Sequence, residues 1–323
     1  METLLHSETT LWILFNLFVL LMLAIDLGIF NREAHSITIK ESLIWTLVWI
    51  VLALAFGGGI WHYAGSQKAL EYLSGYLIEK SLSMDNLFVF LVIFTYFDVS
   101  DRYRHKVLFW GIVGALLFRA LFIFAGVSLL NHFEWVIYIL GTFLIYTGIR
   151  LATETEKKVE VEKNPVLRLV RKIFPITDSY RGEHFFVREK GKLLATPMLV
   201  VLVAIETTDV MFAVDSIPAI LAISRDPFIV YSSNVFAILG LRALFFALAG
   251  IMALFEYLHY GLAAILVFVG IKMLISDWVH LPVWVALLTI AGILTVTMIA
   301  SVVLGKKQAG PSERLKAGKT ETT

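Results

Sequence analysis

The segment LIEKSLSMDNLFVF, residues 77–90, decides how the chain must fold, because it sets charged side chains inside an otherwise apolar run. Its Leu, Ile, Phe and Val residues suit the interior of a bilayer. Glu79 and Asp85 do not, since one charged side chain at the centre of a membrane-spanning helix costs roughly 2.5–3.5 kcal/mol or more. If the segment crosses a membrane, these two carboxylates need ionic partners or a function.

The composition of the whole chain is that of a membrane protein. Hydrophobic residues make up 59% of its 323 residues and the mean hydropathy is +0.81, whereas soluble domains are roughly 45–50% apolar. Nine apolar runs approach or exceed the ~20 residues that a helix needs to cross ~30 Å of hydrocarbon. We therefore predict a single all-α polytopic transmembrane domain over 1–323, with about nine transmembrane helices in the runs 11–30, 43–61, 70–97, 107–130, 135–151, 197–223, 228–250, 257–275 and 281–304.

The positive charges predict the orientation, because cytoplasmic loops carry the excess of Lys and Arg. With the N-terminus outside, the predicted inner segments hold 21 of the 27 basic residues, and the outer segments hold only Lys68 and Arg225. The reverse orientation would invert this ratio. The long segment 152–196 is then a cytoplasmic loop, and the C-terminus is cytoplasmic as well.

Short elements are predicted within this loop and the tail. PVLRLVRKIF at 165–174 indicates an amphipathic helix on the inner membrane surface. HFFVREKGKLLAT at 184–196 indicates a hairpin that turns near Gly191. The polar residues 305–323 predict a disordered tail.

The chain contains no cysteine, which excludes disulfides, thiolate catalysis and cysteine metal sites. Any metal would be bound by oxygen or imidazole. The histidines assigned to a predicted segment fall in loops or near the ends of spans, which disfavours an imidazole site in mid-membrane. The net charge of +1 averages a basic inner face with an acidic membrane interior, so it says little about partners. We find no pattern typical of nucleic-acid binding.

Two parts of the chain resemble each other in the order and spacing of their motifs. Three pairs recur with nearly constant offsets of 130, 123 and 122 residues: EKSLSMDN with DVMFAVDS (79 and 209), RALF twice (119 and 242), and FLIYTGIR with ILVFVGIK (143 and 265). Each copy covers three spans, so we predict repeat unit 1 at 70–151 and repeat unit 2 at 197–276. Because three is odd, the second copy runs in the opposite direction, as in the inverted repeats of secondary transporters.

The aligned motifs place oxygen donors at corresponding positions in the two units. The predicted ligands are five carboxylates, one amide and one hydroxyl: Glu79, Asp85, Asn86, Glu206, Asp209, Asp215 and Ser216. Such hard donors suit Mg²⁺, Ca²⁺ or Mn²⁺. Lys80, Arg119 and Arg242 are predicted to balance part of the negative charge. The acids outnumber these cations, so protons or a bound cation must compensate for the excess; a static ion-pair network between helices is the alternative.

A straight helix would not bring the two acids of one motif together. Six residues advance about 600° and ~9 Å, so Glu79 and Asp85 would point ~120° apart. A broken helix would let them converge. In the second unit, Pro218 lacks the N–H that would bond the carbonyl of Val214, which leaves an oxygen free beside Asp215.

These residues resemble those of the TerC family of integral membrane proteins. The resemblance rests on GYLIEKSLSMDNLFVF, ETTDVMFAVDSIPAI, DPFIVYSSNVFAILGLRALFF, GIKMLI and EHFFVR, and it covers about residues 20–300. It implies a bacterial inner-membrane protein that exports manganese from the cytoplasm, with Mn²⁺ as transported substrate and no resident cofactor. It also implies that the acids of the two motifs form the ion pathway: Glu79, Asp85, Glu206, Asp209 and Asp215.

Two other functions compete with transport. A non-transporting membrane protein that assists the metallation or insertion of other membrane proteins would use the basic loop as a docking surface, although the sequence does not identify protein partners. An intramembrane aspartyl protease would also need two membrane aspartates, but the chain lacks the Gly-x-Gly-Asp signature and the Tyr-Asp pair. We therefore expect a transporter and not an enzyme, with a divalent cation and the lipid bilayer as its partners.

The predicted orientation can be tested with single cysteines, since the native chain has none. Ser66→Cys should react with a membrane-impermeant thiol reagent only from outside, and Lys157→Cys only from inside. Labelling of intact and permeabilised cells measures this difference. If both positions react from the same side, the nine-span topology is wrong, and the inverted repeat with it.

Overall fold

The computed structural model describes residues 8–30, 39–153, 165–189, 191–249, 258–279 and 281–308. Within these residues the chain is a bundle of helices with one small antiparallel hairpin, which confirms the predicted all-α polytopic class. The elements are α1 (Glu8–Phe30), α2 (Ile39–Ala64), α3 (Ser66–Tyr96), α4 (Asp101–His132), α5 (Val136–Thr153), α6 (Pro165–Ile173), β1 (Phe186–Glu189), β2 (Lys192–Ala195), α7 (Pro197–Leu221), α8 (Pro227–Leu239), α9 (Leu241–Ala249), α10 (Leu258–Leu274) and α11 (Val283–Gln308).

Seven helical segments of the described chain are long and apolar enough to cross a membrane. They lie in α1, α2, α4, α5, α7, α8 with α9, and α11. Two predicted spans are not among them. α3 has 31 residues, but its acids and lysines lower its hydropathy, and α10 has 17 residues over the part that the structure describes. The count of nine spans stays a prediction.

Contacts between loops group the helix ends into two sets. At one end of the bundle, Lys68 Nζ lies 2.7 Å from Asp226 Oδ2. At the other end, the Tyr180 hydroxyl donates to the carbonyl of Phe97 at 2.8 Å. These are the segments that the charge pattern assigns to the outer and inner side, respectively. Which set faces the cytoplasm stays a prediction.

The predicted cytoplasmic loop packs against the ends of the helices. α6 forms the predicted amphipathic helix, and β1 pairs with β2 in the predicted hairpin, whose Gly191 has a φ of 77° that glycine adopts without strain. Burial raises the pKa of Tyr180 to about 12, so its hydroxyl stays protonated at neutral pH. α11 continues to Gln308, past the predicted start of the tail, and 309–323 lie outside the described residues.

α5 and α10 pack closely through small residues. A Cβ added at Gly141 would lie 3.0 Å from the carbonyl oxygen of Gly270, and one added at Gly148 would lie 2.8 Å from that of Ala263. The residue number rises along α5 as it falls along α10, so the two helices are antiparallel. Under the predicted repeat, 141 corresponds to 263 and 148 to 270. The predicted repeat therefore relates the two contacts to each other: it maps the pair 141 and 270 onto the pair 263 and 148.

The remaining helix contacts have the symmetry that an inverted repeat requires. The first helices of the two units, α3 and α7, pack together, as do the second helices, α4 and α8. The two crossed pairs, α3 with α8 and α4 with α7, are both present as well. This pattern supports the inverted repeat, which itself stays a prediction.

The backbone does not break where an opening of the helices was expected. α3 is continuous, and α7 continues through Pro218. The chain leaves the helical path at Gly240, between α8 and α9. A Cβ at Gly240 would lie 2.9 Å from Lys80 Nζ and 3.1 Å from Trp49 Cβ. Side chains from α2 and α3 therefore fill the space beside the break.

Gly148→Ala should destabilise the protein by about 1–3 kcal/mol, because the new methyl group must displace the backbone of α10. Gly58→Ala is the matched control, since a Cβ at this position in α2 meets nothing within 4 Å. Helix propensity alone should leave that variant as stable as the parent or slightly more stable. Thermal unfolding in detergent measures both. Equal unfolding midpoints for the two variants would contradict the close packing of α5 and α10.

Candidate functional site

A buried arginine joins three helices at the centre of the bundle. Arg119 in α4 is 1% exposed, and its guanidinium contacts the carboxylates of both Glu79 and Asp209. Nη2 lies 3.0 Å from Asp209 Oδ1 and Nε lies 3.2 Å from Oδ2, so this contact is bidentate. Nη1 donates to Glu79 Oε1. The structure thus brings together the two acids that the repeat superposes.

The depth of this cluster follows from where its residues lie in their helices. Glu79, Arg119 and Asp209 are near the middles of α3, α4 and α7, respectively. All three residues are buried. Two carboxylates and one guanidinium leave one negative charge uncompensated if all are ionised. A low-dielectric interior disfavours that excess, so the cluster attracts a further cation or proton.

Serine hydroxyls complete part of the hydrogen bonding. Ser83 Oγ donates to Glu79 Oε1 at 3.1 Å, and Arg119 Nη1 lies 3.4 Å from Ser216 Oγ. Glu79 Oε2 is buried and has no hydrogen-bond partner among the residues that the structure describes. A buried carboxylate oxygen without a donor is costly. This atom is therefore one place where a proton or metal ion would be stabilised.

Glu206 forms a second acidic position one turn away. It lies on the same face of α7 as Asp209, since residues three apart are neighbours on a helix. Its carboxylate points against α4, where a Cβ at Gly114 would overlap it. Glu206 Oε2 is buried and accepts no hydrogen bond from the described part of the chain. No sequence pattern singles out Gly114, because its role is to leave space for a side chain on another helix.

The remaining predicted site residues differ in their exposure. Asn86 is buried, and Asp215 is partly exposed. Asp85 lies within α3, but its side chain is outside the described part of the structure. Arg242 is 4% exposed and lines, together with Asp209, a small cavity of about 10 Å³ toward the predicted cytoplasmic end. This volume has room for about one water molecule.

Two lysines donate to backbone carbonyls at the ends of helices. Lys80 Nζ donates to the carbonyl of Ala237 at 3.3 Å, in the last turn of α8, where the carbonyls have no helical partners. Lys272 Nζ donates to the carbonyl of Ala222 at 3.1 Å, at the end of α7. The helix dipole favours a cation at both places. Within the described contacts, Lys80 therefore serves a helix end and not a carboxylate.

Other buried polar groups were missed by the sequence analysis. α8 carries three consecutive polar residues, Ser232, Ser233 and Asn234, which are at most 1% exposed. Asn234 Nδ2 has no hydrogen-bond partner among the described residues. The available signal was a polar run within an apolar span. Since α8 packs against α3 and α4, this run adds amide and hydroxyl groups to the polar interior.

The described side chains include no group of three or more His, Asp and Glu close enough together to hold a metal ion. Glu79 and Asp209 contact Arg119 instead. The arrangement is therefore a set of buried carboxylates with an internal guanidinium as counter-ion. Glu79 Oε2 is the carboxylate oxygen of this pair that Arg119 leaves without a contact in the described part of the chain.

The chain is similar in sequence to one family of membrane proteins over most of its length. The profile of the Integral membrane protein TerC family matches residues 64–309. The uncharacterized membrane protein STKORF319 of Myxococcus xanthus is 51% identical over 293 residues, or 91% of this chain and 92% of that protein. Alx, provisionally described as a membrane-bound redox modulator, is 47% identical over 298 residues in Escherichia coli K12 (90% and 93%) and 42% over 308 residues in Photorhabdus laumondii (93% and 96%). No solved structure matches the chain.

Arg119→Gln should destabilise the protein by about 3–5 kcal/mol, because it leaves Glu79 and Asp209 buried without their cation. Neutralising the whole cluster, with Glu79→Gln, Arg119→Gln and Asp209→Asn together, should recover much of this loss, since no charge in it remains buried. Thermal unfolding in detergent at neutral pH measures both variants.

The control for this comparison is Arg181→Gln. Arg181 is exposed and pairs with Glu189 in the loop, so its loss should cost at most about 1 kcal/mol. If Arg119→Gln and Arg181→Gln unfold at the same temperature, the buried cluster does not hold the three helices together.

Proposed function

The chain belongs to the TerC family, and we propose that it exports divalent metal cations, with Mn²⁺ as the principal substrate, from the cytoplasm across the bacterial inner membrane. The observation that carries the proposal is the meeting of Glu79 and Asp209 at the centre of the bundle. Acids at this depth are rare and typically line ion pathways. Each comes from a different predicted repeat unit, and secondary transporters bind substrate between such units.

The chemistry of the donors favours a hard cation. Carboxylates, hydroxyls and amides are the ligands that Mg²⁺, Ca²⁺ and Mn²⁺ prefer, and the absence of cysteine removes the thiolate ligands that favour softer metals. Within this class we propose Mn²⁺, which is the cation that the resemblance to TerC proteins implies. In the proposed site, Glu79 and Asp209 are joined by Asp85, Glu206 and Asp215 when the ion is bound.

In this proposal Arg119 is the counter-ion of the empty site. A metal ion displaces the guanidinium from at least one carboxylate, and the guanidinium returns when the metal leaves. The empty carrier then never holds both acids uncompensated in a low-dielectric interior, which would be costly. This property allows the protein to change between inward and outward access without a bound metal.

Protons are the proposed exchange partners of the metal. Glu79 Oε2 and Glu206 Oε2 are buried without hydrogen-bond donors among the described groups, so a proton on either carboxylate reduces the cost of its burial. Metal binding requires the deprotonated form. Metal entry therefore releases protons, and the affinity for Mn²⁺ should rise with pH.

The description of Alx as a redox modulator suggests a different chemistry. This chain has no cysteine and so forms neither a disulfide nor a thiolate. Under the present proposal, an effect of this chain on cellular redox balance would come from the metal that it moves. The export proposal and a redox effect of that kind are compatible.

A non-transporting role in metallation or insertion of other membrane proteins is the second candidate. It is favoured by the loop surface on the predicted cytoplasmic face, where Leu169 and Ile173 of α6 are 55% and 60% exposed beside basic residues. A partner protein of this kind would need that surface but no ion pathway. Flux by the purified protein alone separates the two candidates.

In liposomes, the purified protein should move Mn²⁺, and Asp85→Asn or Asp215→Asn should abolish the flux because each variant lacks one ligand charge. Membrane insertion should survive, since deleting an intramembrane charge lowers the cost of burial. Asp178→Asn, in an exposed loop, is the matched control and should transport normally. A manganese-sensitive dye measures the flux, which should be faster at pH 8 than at pH 6 on the loading side.

Each outcome has a distinct meaning. A parent protein that moves no Mn²⁺ would support the partner role. Flux that survives in both Asn variants would show that these aspartates are not the site. Flux that is independent of pH would contradict proton exchange through the carboxylates.

A further inference from the structure

A groove on the N-terminal side of the bundle lies apart from the transport site. Two adjoining cavities form it, of about 980 Å³ and about 390 Å³. They share the lining residues Leu11, Ala55, Phe56 and Phe228, so they lie side by side along α1, α2 and the start of α8. We infer that this groove binds one phospholipid with a zwitterionic, amine-bearing headgroup.

The deep part of the groove suits an acyl chain. All nine residues that line the smaller cavity are apolar. Its wall is a cluster of aromatic rings, in which the centroids of Phe56 and Phe236 are 4.9 Å apart and those of Phe15 and Phe56 are 5.4 Å apart. No side chain in this lining can hydrogen-bond a polar ligand. The occupant of this part is therefore a hydrocarbon.

The length of the groove matches one leaflet of a bilayer. Glu8 lines the mouth, and Phe18 lines the deep end. Ten residues of α1 separate them, which is about 15 Å along a helix. This is about half of the ~30 Å hydrocarbon core. A lipid of one leaflet thus reaches from the mouth to the deep end, and lipid is the medium that surrounds these helices.

The mouth carries charges of both signs. Lys68 lies 2.7 Å from Asp226 Oδ2, and Glu71 accepts a hydrogen bond from Ser224, so these groups satisfy one another. Arg225 and Glu8 also line the mouth, and neither forms an ion pair with any residue in the described part of the chain. Arg225 is therefore placed to bind a phosphate, and Glu8 to bind an ammonium group.

The charge balance selects the headgroup. The lining contains three carboxylates and two cations, so its net charge is negative when all are ionised. That balance disfavours a lipid with a net negative charge and favours one with both a phosphate and an amine. Trp61 and Tyr63, near the end of α2, are 66% and 89% exposed. Exposed Trp and Tyr residues typically lie at the headgroup level, which places the mouth there.

The groove lies between a part of the chain that the TerC profile covers and a part that it does not cover. The region that matches the TerC profile begins at residue 64, so α1 and nearly all of α2 precede it, whereas α8 lies inside it. A lipid in the groove contacts all three helices. It would therefore stabilise the packing of α1 and α2 against the region that TerC proteins share.

The groove can be obstructed without a clash in the helix that lines it. Gly59 lines the groove and Gly58 does not, yet a Cβ at either position meets nothing within 4 Å. Gly59→Leu should place a side chain in the groove, and Gly58→Leu is the matched control in the next position of α2. Each protein is delipidated in detergent and titrated with dioleoyl phosphatidylethanolamine or dioleoyl phosphatidylglycerol, and native mass spectrometry measures the bound fraction.

The parent and Gly58→Leu should each bind one phosphatidylethanolamine, and Gly59→Leu should bind it at least about tenfold more weakly. Arg225→Gln should weaken binding about tenfold by removing the charge-assisted contact to the phosphate. Glu8→Gln should abolish the preference for phosphatidylethanolamine over phosphatidylglycerol. Equal binding by the two leucine variants would overturn the inference. So would equal affinity of the parent for both lipids, or retention of a detergent or isoprenoid quinone in the groove in place of the phospholipid.

Discussion

The burial of Arg119 between Glu79 and Asp209 is the interaction on which the rest of the structure depends. Taking charged groups out of water costs several kcal/mol for each ion, and the attraction between them offsets this only when their geometry is close. The bidentate contact to Asp209 and the contact to Glu79 meet that condition. They also require α3, α4 and α7 to cross at the same depth, so the charges dictate how the apolar surfaces of these helices align.

The same constraint explains how helix ends are tolerated inside the bundle. A carbonyl without a partner is costly where water is absent. The break at Gly240 exposes the end of α8, and the ammonium group of Lys80 satisfies the carbonyl of Ala237 there. Lys80 thus permits a discontinuous helix beside the proposed ion pathway, which is where secondary transporters commonly place one.

The two predicted repeat units are similar in sequence but differ in structure. Arg119 and Arg242 correspond to each other in the repeat, and Arg119 contacts both acids while Arg242 lines the small cavity that reaches Asp209. α4 is continuous, whereas its counterpart is divided into α8 and α9. In alternating access, two repeat units take different conformations, and each takes the conformation of the other when access changes from one side of the membrane to the other. The asymmetry is therefore consistent with one state of the proposed transport cycle.

The sequence by itself determined the class of the protein and the elements of the loop, and it predicted the candidate acids, because hydropathy, charge and turn chemistry are local properties. The tertiary structure decided which groups meet. No local pattern shows that Arg119 takes both acids, that Gly114 makes room for Glu206, or that Lys80 serves a helix end, since each contact joins residues far apart in the chain. The structure keeps α3 and α7 continuous and places the break at Gly240, a position that neither acidic motif indicates.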